Sequence, residues 1–364
     1  MVLQRKNRKQ RNLLGDKYEF SPVKIDRPQP LSDHPLAFDA TFFCGANSDG
    51  LFIILNMERR KEDICYGKMY ILHPKKGLMV TPRVPDTKLR SDSRDSFSAE
   101  GMKFEPVSPH KEWKLAYDGK LRSTENGELF DVTFDGRWHS TWPIFNYDTD
   151  MSAVASARAF AKEPWSRTFF EHLKEAHQTH YEQVGRMSGT LRINGTEETV
   201  ECPSFRDHSY GKKRDWSLMH RYGFHTMFME DGTAATVGVV SQPVTCSHLE
   251  LGYIYHSTGK VEAVDWVDLK LYQHGEGGRS PRDHAFRFGA GGKTYHVDVT
   301  VLPPTPHLHF YGAEAKSKMV QRFCKFVLTS YGFNNEARTL KGQGFSDWIY
   351  NLDSWHWEGT ENVG

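Results

Sequence analysis

Residues 205–216 read FRDHSYGKKRDW, and this stretch decides the fold of the chain around it. Side chains of a β-strand alternate between its two faces, so Asp207 is expected to face away from Arg206 and His208. The glycine and the two lysines at 211–213 interrupt this alternation. The stretch therefore predicts a strand that ends in a turn and carries acidic, basic and imidazole side chains close together.

A second strand is expected after the turn, because the alternation of apolar side chains resumes there. One face of this strand would collect large aromatic side chains and one histidine: Trp216, His220, Tyr222 and Phe224. The dipeptide Asp231-Gly232 then predicts a tight hairpin, since glycine accepts a positive φ without steric cost. The sequence thus indicates an antiparallel sheet with an aromatic wall beside the polar stretch.

Strand signals dominate the rest of the chain as well. Short runs of strand-forming residues recur from residue 36 onwards and are separated by turn residues. The dipeptide Asn194-Gly195 is the strongest hairpin signal among them. Residues 1–35 are polar, contain several prolines and are expected to be an irregular lead-in.

One long helical pattern interrupts the strands near the middle of the chain. It covers residues 151–178, and Pro164 is expected to split it, because proline cannot continue a helix without losing a hydrogen bond. We predict an all-β fold of antiparallel barrels or sandwiches, with a first domain at residues 36–178 and a second at residues 179–364.

Composition narrows the classes of function. The 364-residue chain has a net charge of +1, which gives no general electrostatic basis for binding nucleic acid. No apolar run reaches the ~20 residues of a membrane span, and the first residues lack the apolar segment of a signal peptide. The five cysteines are scattered without a C-x-x-C pair, so neither a disulfide framework nor a zinc site is expected. A reducing, cytoplasmic location is the simplest expectation, and the basic residues at 5–11 are interpreted as a solvated tail.

With these residues in view, the second half of the chain resembles the lipocalin-like superfamily of bacterial carotenoid hydratases (hydroxyneurosporene synthases), AttH-type proteins and fungal Diels–Alderases. Its members share a D-H-x-x-G segment, a tryptophan-bearing strand and a D-G hairpin, which correspond here to residues 207–211, Trp216 and residues 231–232. A closer resemblance is to uncharacterised proteins in which an H-x-E-Q-x-G-x-x-x-G hairpin precedes an R-D-H-S-W-G motif. Tyr210 replaces the tryptophan of that motif, and Asp347 stands where a glutamate is usual.

The resemblance implies two consecutive lipocalin-like antiparallel β-barrel domains, with a helical segment between them and an apolar cavity near their junction. Characterised members of the superfamily hydrate, cyclise or isomerise long unsaturated molecules such as isoprenoids, carotenoids and polyenes. Because these reactions need no redox cofactor and no metal, we expect no cofactor and no metal here. The expected partner is a hydrophobic small molecule, with no nucleic acid and no transmembrane segment.

A cavity beside the polar stretch would give it a chemical role. Burial next to Phe205 would raise the pKa of Asp207 and keep it protonated, as an acid that can protonate an alkene. An imidazole would relay the proton, and aromatic faces would stabilise the resulting cation. The predicted catalytic residues are Asp207, His208 and His220. The predicted substrate-binding residues are Arg206, Tyr210, Trp216, Tyr222, Phe224, His180 and Glu182.

A structural role is the alternative for the same residues. Arg206, Asp207 and His208 would then form a buried ion-pair network that braces the domain junction, because buried charges need partners. His180, Glu182 and Arg186, upstream on one strand face, would supply polar partners for Arg206 or His208. Three functions therefore stay open: a cofactor-independent isomerase, hydratase or cyclase; a lipocalin-like carrier; and an adaptor that only presents surfaces.

Overall fold

A tight hairpin organises the first half of the structure. Asn194 and Gly195 have φ angles of 49° and 82°, which suit a two-residue turn, and the flanking residues Ile193 and Thr196 pair directly. The hairpin predicted from this dipeptide is therefore confirmed. Its two strands are 16 residues each and form the longest ladder of the first sheet.

The structure is a computed structural model. It describes residues 21–274, 282–309, 317–331 and 336–351, and the basic segment at 5–11 lies outside these ranges. Antiparallel strands dominate the described residues, so the predicted all-β fold is confirmed. No helix in these ranges is long and apolar enough to cross a membrane.

The first sheet has twelve strands. They are β1 (Phe38–Ala46), β2 (Phe52–Arg59), β3 (Ile64–His73), β4 (Gly77–Val80), β5 (Lys88–Arg90), β6 (Phe97–Ala99), β7 (Met102–Ser108), β8 (Glu112–Ser123), β9 (Leu129–His139), β10 (Phe145–Asn146), β11 (Gln178–Ile193) and β12 (Thr196–Gly211). Pairing runs from β11 through β12, β1, β2, β3, β4, β8 and β9 and then returns to β11. These strands therefore enclose an interior, which is the first barrel.

The second sheet has nine strands. They are β13 (Arg221–Met229), β14 (Ala234–Gln242), β15 (Cys246–Tyr255), β16 (Val261–Val267), β17 (His284–Ala290), β18 (Lys293–Leu302), β19 (His307–His309), β20 (Ser317–Tyr331) and β21 (Ala337–Asn351). The pairing of β18 with β20 closes the sheet into an eight-stranded antiparallel barrel, and β19 lies outside the ring. This closed unit is the second barrel.

Short helices connect the strands. They are α1 (Pro22–Ile25), α2 (Tyr147–Asp150), α3 (Ala153–Phe160) and α4 (Arg167–Ala176), together with 3-10 turns at Trp216–Leu218 and Leu271–Gln273. Pro164 lies between α3 and α4, so the predicted split of the helical segment is confirmed. The hydroxyl groups of Ser152 and Ser166 cap the two helices by accepting hydrogen bonds from backbone N–H groups.

Three expectations about the organisation of the chain need correction. The helical segment precedes β11, so it lies before the last two strands of the first sheet and not between the sheets. The sheets divide after Gly211 rather than at residue 178, because the polar strand pairs with β1. The strand expected from Trp216 begins only at Arg221, since Asp215 caps a 3-10 turn at this point.

Apolar residues form three clusters that follow this arrangement. One fills the first barrel and one the second. The third lies between the barrels and joins Phe52, Tyr70 and Phe205 of the first sheet to Phe323 and Phe345 of the second. The Phe52 ring lies 5.4 Å from Phe323 and 5.7 Å from Phe345, centroid to centroid. We call this contact region the junction.

The interior of the second barrel contains an unusual pair of histidines. Nε2 of His225 lies 2.7 Å from Nε2 of His284, and the rings are surrounded by Phe286 and Trp348. Burial lowers the pKa of His225 well below its usual range and that of His284 to about 4. Both imidazoles are therefore neutral at pH 7, as an apolar surrounding favours.

Candidate functional site

Because side chains alternate along β12, some of its polar residues lie inside the first barrel and others lie at the junction. Arg206 and His208 are fully buried and point into the first barrel, where they contact Trp113. Phe205 belongs to the junction cluster, and Asp207, two residues on, shares its strand face. Residues that are adjacent in sequence therefore lie on opposite faces of β12.

Arg206 forms a buried ion pair with Asp26 inside the first barrel. Its guanidinium also donates to Oε1 of Gln183 at 3.0 Å and lies 4.8 Å from the centre of the Trp138 ring. Burial alone would raise the pKa of Asp26, but the charge of Arg206 lowers it to about 2. Arg206 is therefore part of the structural network considered above, and its partner comes from the lead-in, which sequence patterns left irregular.

His208 is fixed by a second set of buried partners. Its Nδ1 lies 2.7 Å from the Tyr181 hydroxyl and its Nε2 lies 2.8 Å from Oδ1 of Asp39. The rings of His208 and Tyr210 lie 5.4 Å apart, so Tyr210 belongs to the same side of the strand. This geometry places His208 and Tyr210 away from Asp207 and makes a proton relay between His208 and Asp207 a poor description of the site.

Asp207 instead meets the two residues of the upstream H-x-E segment. Nε2 of His180 lies 3.1 Å from Oδ2 of Asp207 and 3.3 Å from Oε1 of Glu182. The Tyr147 hydroxyl donates to Oε2 of Glu182 at 3.0 Å, and the Tyr147 ring stacks on His180 with centroids 4.6 Å apart. We call His180, Glu182, Asp207 and Tyr147 the acid cluster. The expectation that His180 and Glu182 would serve Arg206 or His208 is wrong.

The charges of the acid cluster keep Asp207 ionised, whereas a protonated Asp207 was expected from the sequence. Burial raises the pKa of Asp207, but the positive charge and hydrogen bond of His180 outweigh burial and bring that pKa below its ordinary value. Burial opposes the charged form of His180, yet the charge of Asp207 raises its pKa to about 10. At pH 7 the mobile proton therefore resides on His180, and Asp207 is a carboxylate.

Direct strand register extends this cluster into a row across the first sheet. Glu182 of β11 is opposite Asp207 of β12, and Asp207 is opposite Phe42 of β1. Phe42 is opposite Asn56 of β2, which in turn is opposite Lys68 of β3. Directly opposed residues share one face of a sheet. We call Glu182, Asp207, Phe42, Asn56 and Lys68 the first-sheet row.

A shorter row of the second sheet lies across the junction. Phe224 of β13 is opposite Asp347 of β21, and Asp347 is opposite Gln321 of β20. The Tyr222 ring packs edge-on against Phe224 with centroids 5.2 Å apart. Burial raises the pKa of Tyr222 well above its usual range, and the negative charge of Asp347 adds to this effect. We call Phe224, Asp347 and Gln321 the second-sheet row.

Lys68 and Asp347 interact electrostatically across the junction. Burial lowers the pKa of Lys68 to about 8, and the negative charge of Asp347 limits this decrease. Burial raises the pKa of Asp347 to about 6, against the opposing charge of Lys68. Perturbed pKa values of this kind are concentrated at functional sites, which makes the pair a candidate part of the site.

The remaining predicted residues are distributed around the junction. Trp216 packs against the junction cluster from its 3-10 turn, with the guanidinium of Arg214 5.2 Å from its ring centre. Among the described contacts, His220 lies beside Ser241, whose hydroxyl is 3.3 Å from its Nδ1, and not beside Asp207. The structure therefore brings Asp207 together with His180 and Glu182, while Tyr222 and Phe224 face them from the second sheet.

Three residues of the acid cluster have the composition of a metal site. One ligand atom each from His180, Glu182 and Asp207 lies within 4.8 Å of the other two. A metal would need the neutral imidazole, whereas the two carboxylates favour the protonated form of His180. A cation at this cluster would therefore have to displace the proton that the carboxylates stabilise on His180.

A cavity of about 300 Å³ lies elsewhere, in the second barrel. Ile254, Tyr295, Leu328 and Leu340 are among the residues that line it, together with the hydroxyl-bearing Ser330. None of the residues predicted from the sequence lines this cavity. The cavity and the acid cluster are thus separate features of the described structure.

Sequence patterns did not identify Tyr147, Lys68 or Asp26. Tyr147 lies in the short helix α2, and only the fold brings it to Glu182. Lys68 lies in β3 between Gly67 and Met69, and the residues on both sides of it are buried. A charged residue in the middle of such a run was the one available signal for a functional position.

Structural comparison finds this fold in proteins of low sequence identity. An AttH-type protein from Nitrosomonas europaea has a TM-score of 0.57 at 12% identity, with 86% of this chain and 92% of that chain covered. Kievitone hydratase from Nectria haematococca has a TM-score of 0.54 at 12% identity, with 89% and 92% covered. The protein CghA, in a structure with Sch210972, has a TM-score of 0.53 at 11% identity, with 91% and 97% covered. These likenesses show that the chain shares its overall fold with these proteins.

Sequence comparison defines the relationship more narrowly. No curated protein matches the chain significantly. A family model matches residues 2–350, a range that includes both barrels, the acid cluster and both rows of the junction. Because the match covers nearly the whole length, it applies to the complete two-barrel unit and not to one barrel alone. The chain therefore belongs to DUF8627, a family of unknown function.

Proposed function

We propose that this protein is a cofactor-independent acid/base enzyme that isomerises, hydrates or cyclises a hydrophobic unsaturated small molecule at the junction. The observation that carries the proposal is the first-sheet row, in which five adjacent strands present four polar residues and one phenylalanine to the second barrel. Charged groups inside an apolar contact region lower the stability of the folded protein. Their presence there therefore favours a functional role over a purely structural one.

His180 is the acid in this proposal. Its Nε2 lies next to the carboxylates of Glu182 and Asp207, so the imidazole is protonated at neutral pH. A substrate that displaces one carboxylate would weaken the stabilisation of the proton and favour its transfer to a double bond. This assigns to His180 the role that the sequence suggested for Asp207.

Asp207 and the aromatic side chains would stabilise the cation that protonation creates. The carboxylate of Asp207 remains ionised next to His180 and supplies the opposite charge. The rings of Tyr222 and Phe224 pack edge-on against each other on the second sheet and would supply electron-rich π systems to this cation. Tyr147 and Glu182 hold His180 in position through a stacked ring and a carboxylate. The cation would then lose a proton to neutral His180, either directly, after addition of water or after ring closure, and this step restores the imidazolium.

The relatives support this class of reaction without fixing the substrate. One structural neighbour is a hydratase by name, and the superfamily fold is shared over most of both chains. The five buried, unpaired cysteines support a reducing, cytoplasmic location for the enzyme. The proposed substrate is an isoprenoid, polyene or fatty compound, because the junction is built mainly from apolar and aromatic side chains.

Ligand identification followed by turnover tests this proposal. The protein is purified from its own source, bound molecules are identified by native mass spectrometry and solvent extraction, and conversion is measured with the wild type. The variants Asp207→Asn and His180→Gln are expected to reduce turnover by about 100-fold or more, as loss of a general acid does. His296→Gln is the matched control, because His296 also lies 3.1 Å from an aspartate but in an exposed position.

The outcomes separate the candidate functions. Equal turnover in Asp207→Asn, His180→Gln and the control would overturn the assignment of the acid cluster. A tightly held ligand that the wild type leaves unchanged would instead identify a carrier, the alternative that the apolar junction also permits. An adaptor would hold no small molecule at the junction and would tolerate both substitutions.

A further inference from the structure

Several polar side chains at the far end of the first-sheet row are buried with few partners. Lys68 is 3% exposed, and its ammonium group makes no hydrogen bond or ion pair within the part of the chain that the structure describes. The Tyr70 hydroxyl and Oε1 of Gln321 are buried and have no hydrogen-bond partner among the described residues. Buried donors and acceptors are almost always paired in folded proteins, so such a group requires an explanation.

These side chains converge from both sheets. Lys68 and Tyr70 share a face of β3, and the Lys68 ammonium lies 5.7 Å from the centre of the Tyr70 ring. Gln321 of β20 donates to Oδ1 of the opposite residue Asp347 at 3.3 Å. The set therefore offers two donors from the first sheet, and an acceptor and a carboxylate from the second. We call Lys68, Tyr70, Gln321 and Asp347 the amine cluster.

The charges of the amine cluster suit reversible proton transfer. Burial brings the pKa of Lys68 down to about 8 and that of Asp347 up to about 6. At pH 7 Lys68 is therefore an ammonium group and Asp347 a carboxylate. Glu58 also acts on Lys68, but Arg60 and Arg214 already bind its carboxylate. Asp347 is thus the base that stands opposite Lys68.

We propose that the amine cluster binds the enolisable carbonyl end of an unsaturated hydrophobic substrate, an inference that rests on the proposed function above. Lys68 and Tyr70 donate hydrogen bonds to the carbonyl oxygen. Asp347 faces the carbon next to the carbonyl, and Gln321 accepts from a hydroxyl group if the substrate is an enol. Two donors aimed at one oxygen in a site shielded from water are the arrangement that stabilises an enolate.

The proton balance of the step is closed without any co-reactant. The Asp347 carboxylate takes a proton from the carbon next to the carbonyl, and the electrons of the broken C–H bond form a C=C bond. The carbonyl oxygen becomes an enolate oxygen, which the Lys68 ammonium and the Tyr70 hydroxyl stabilise. Protonated Asp347 then returns its proton to another carbon of the conjugated chain, which moves the double bond. The substrate class is therefore an unsaturated ketone.

A β-diketone probe tests this inference directly. Benzoylacetone is hydrophobic and enolisable, and its enolate absorbs at longer wavelength than its neutral forms. Binding is followed by quenching of tryptophan fluorescence, since Trp142 and Trp216 pack against the junction cluster. With wild-type protein, the acid dissociation constant of the bound probe is expected to rise about 10-fold or more above that of the free probe, because a cation within ~4–6 Å favours the anion.

Variants assign the effect to individual groups. Lys68→Met should return the dissociation constant of the bound probe to within about twofold of the free value, while probe binding persists, since the cation supplies the shift. The double variant Lys68→Met, Asp347→Asn leaves no unpaired charge and controls for misfolding. Lys103→Met is the matched surface control, because the exposed side chain of Lys103 pairs with Glu105 on the outer face of β7.

The possible results are distinguishable. A probe that binds but stays neutral, or that ionises equally well in Lys68→Met, would overturn the role of the amine cluster and leave the acid cluster unaffected. A probe that does not bind would also overturn it, and turnover of the co-purified ligand by Asp207→Asn would then decide the proposed function separately. An enolate signal lost in Lys68→Met and kept in Lys103→Met is the expected result.

Discussion

At the scale of single residues, the direction of each side chain matters more than its place in a motif. Asp207 and His208 are adjacent, yet one contacts His180 at the junction and the other contacts Tyr181 and Asp39 inside the first barrel. A motif that contains both residues therefore combines two separate structural roles. His208 and Arg206 hold the first barrel together, and Asp207 serves the junction.

The protonation of His180 gives a prediction at this scale. In the wild type its pKa is expected to be about 10, because the Asp207 carboxylate outweighs the effect of burial. Asp207→Asn removes that charge, so the pKa of His180 should fall by at least about one unit toward the ordinary value near 6.5. Titration of the histidine ring signals by NMR measures the change. A His180 pKa that is the same in both proteins would contradict the electrostatic account of the acid cluster.

At the scale of elements, the lead-in contributes to the first barrel. Helix α1 ends at Ile25, and the next residue, Asp26, enters the barrel interior to pair with Arg206. The Trp113 indole and the Tyr181 hydroxyl also donate to the Asp26 carboxylate, at 3.2 Å and 2.9 Å. A segment without sequence periodicity thus supplies the counter-charge for the central arginine.

Replacing Asp26 should therefore destabilise the whole first barrel. Asp26→Asn leaves Arg206 as a buried charge without its counter-ion, which typically costs about 3–5 kcal/mol of unfolding free energy. Asp33→Asn is the matched control, because Asp33 lies in the same lead-in and forms only an exposed ion pair with Lys61 at 3.5 Å. Urea denaturation at pH 7 measures both. Equal midpoints for the two variants would show that the lead-in does not support the barrel.

At the scale of the whole molecule, the buried histidines should make stability depend on pH. In the folded chain the pKa of His284 is about 4 and that of His225 lies well below its usual range, whereas both are near 6.5 in an unfolded chain. Above pH 6.5 their contribution to stability is complete. As the pH falls from about 6.5 towards 4, the unfolded chain binds protons that the folded barrel rejects, so the free energy of unfolding decreases.

Within this pH window, the free energy of unfolding is expected to fall by up to roughly 1.4 kcal/mol per pH unit for each histidine. The double variant His225→Phe, His284→Phe replaces both titrating rings by apolar ones and should flatten the decrease. Urea denaturation at pH 7 and pH 5 compares the two proteins, with His296→Gln as an exposed control. A wild type whose stability is unchanged between these pH values would contradict burial of neutral imidazoles in the second barrel.

Local sequence signals were sufficient to predict the strands but not to predict which strands pair with each other. The Asn194-Gly195 turn, the split helix at Pro164 and the alternation along β12 all follow from backbone preferences and are present as predicted. The pairing of β12 with β1 depends on residues far apart in sequence, so the division at residue 178 was misplaced. Nothing in the local sequence around Ser209 and Tyr210 indicated that the strand containing them is the last strand of the first sheet.

The same limit applies to the candidate site. His180, Glu182 and Asp207 were recognised as polar residues of one region, but their mutual contacts depend on the register of β11 against β12. The pKa of Asp207 was predicted in the wrong direction, because burial was visible in the sequence and the neighbouring imidazolium was not. Lys68 could be assigned to the junction only after β1 and β2 connected it to Asp207.

The alternation of β11, β12 and β3 has a consequence for redesign of the protein. Odd and even positions of these strands can be changed independently, because one set fills the first barrel and the other faces the junction. Junction-facing residues such as Phe42 and Phe224 likewise take no part in the packing inside either barrel. The shape of the junction can therefore be altered through such positions to suit a different small molecule, while the packing that holds each barrel together is kept.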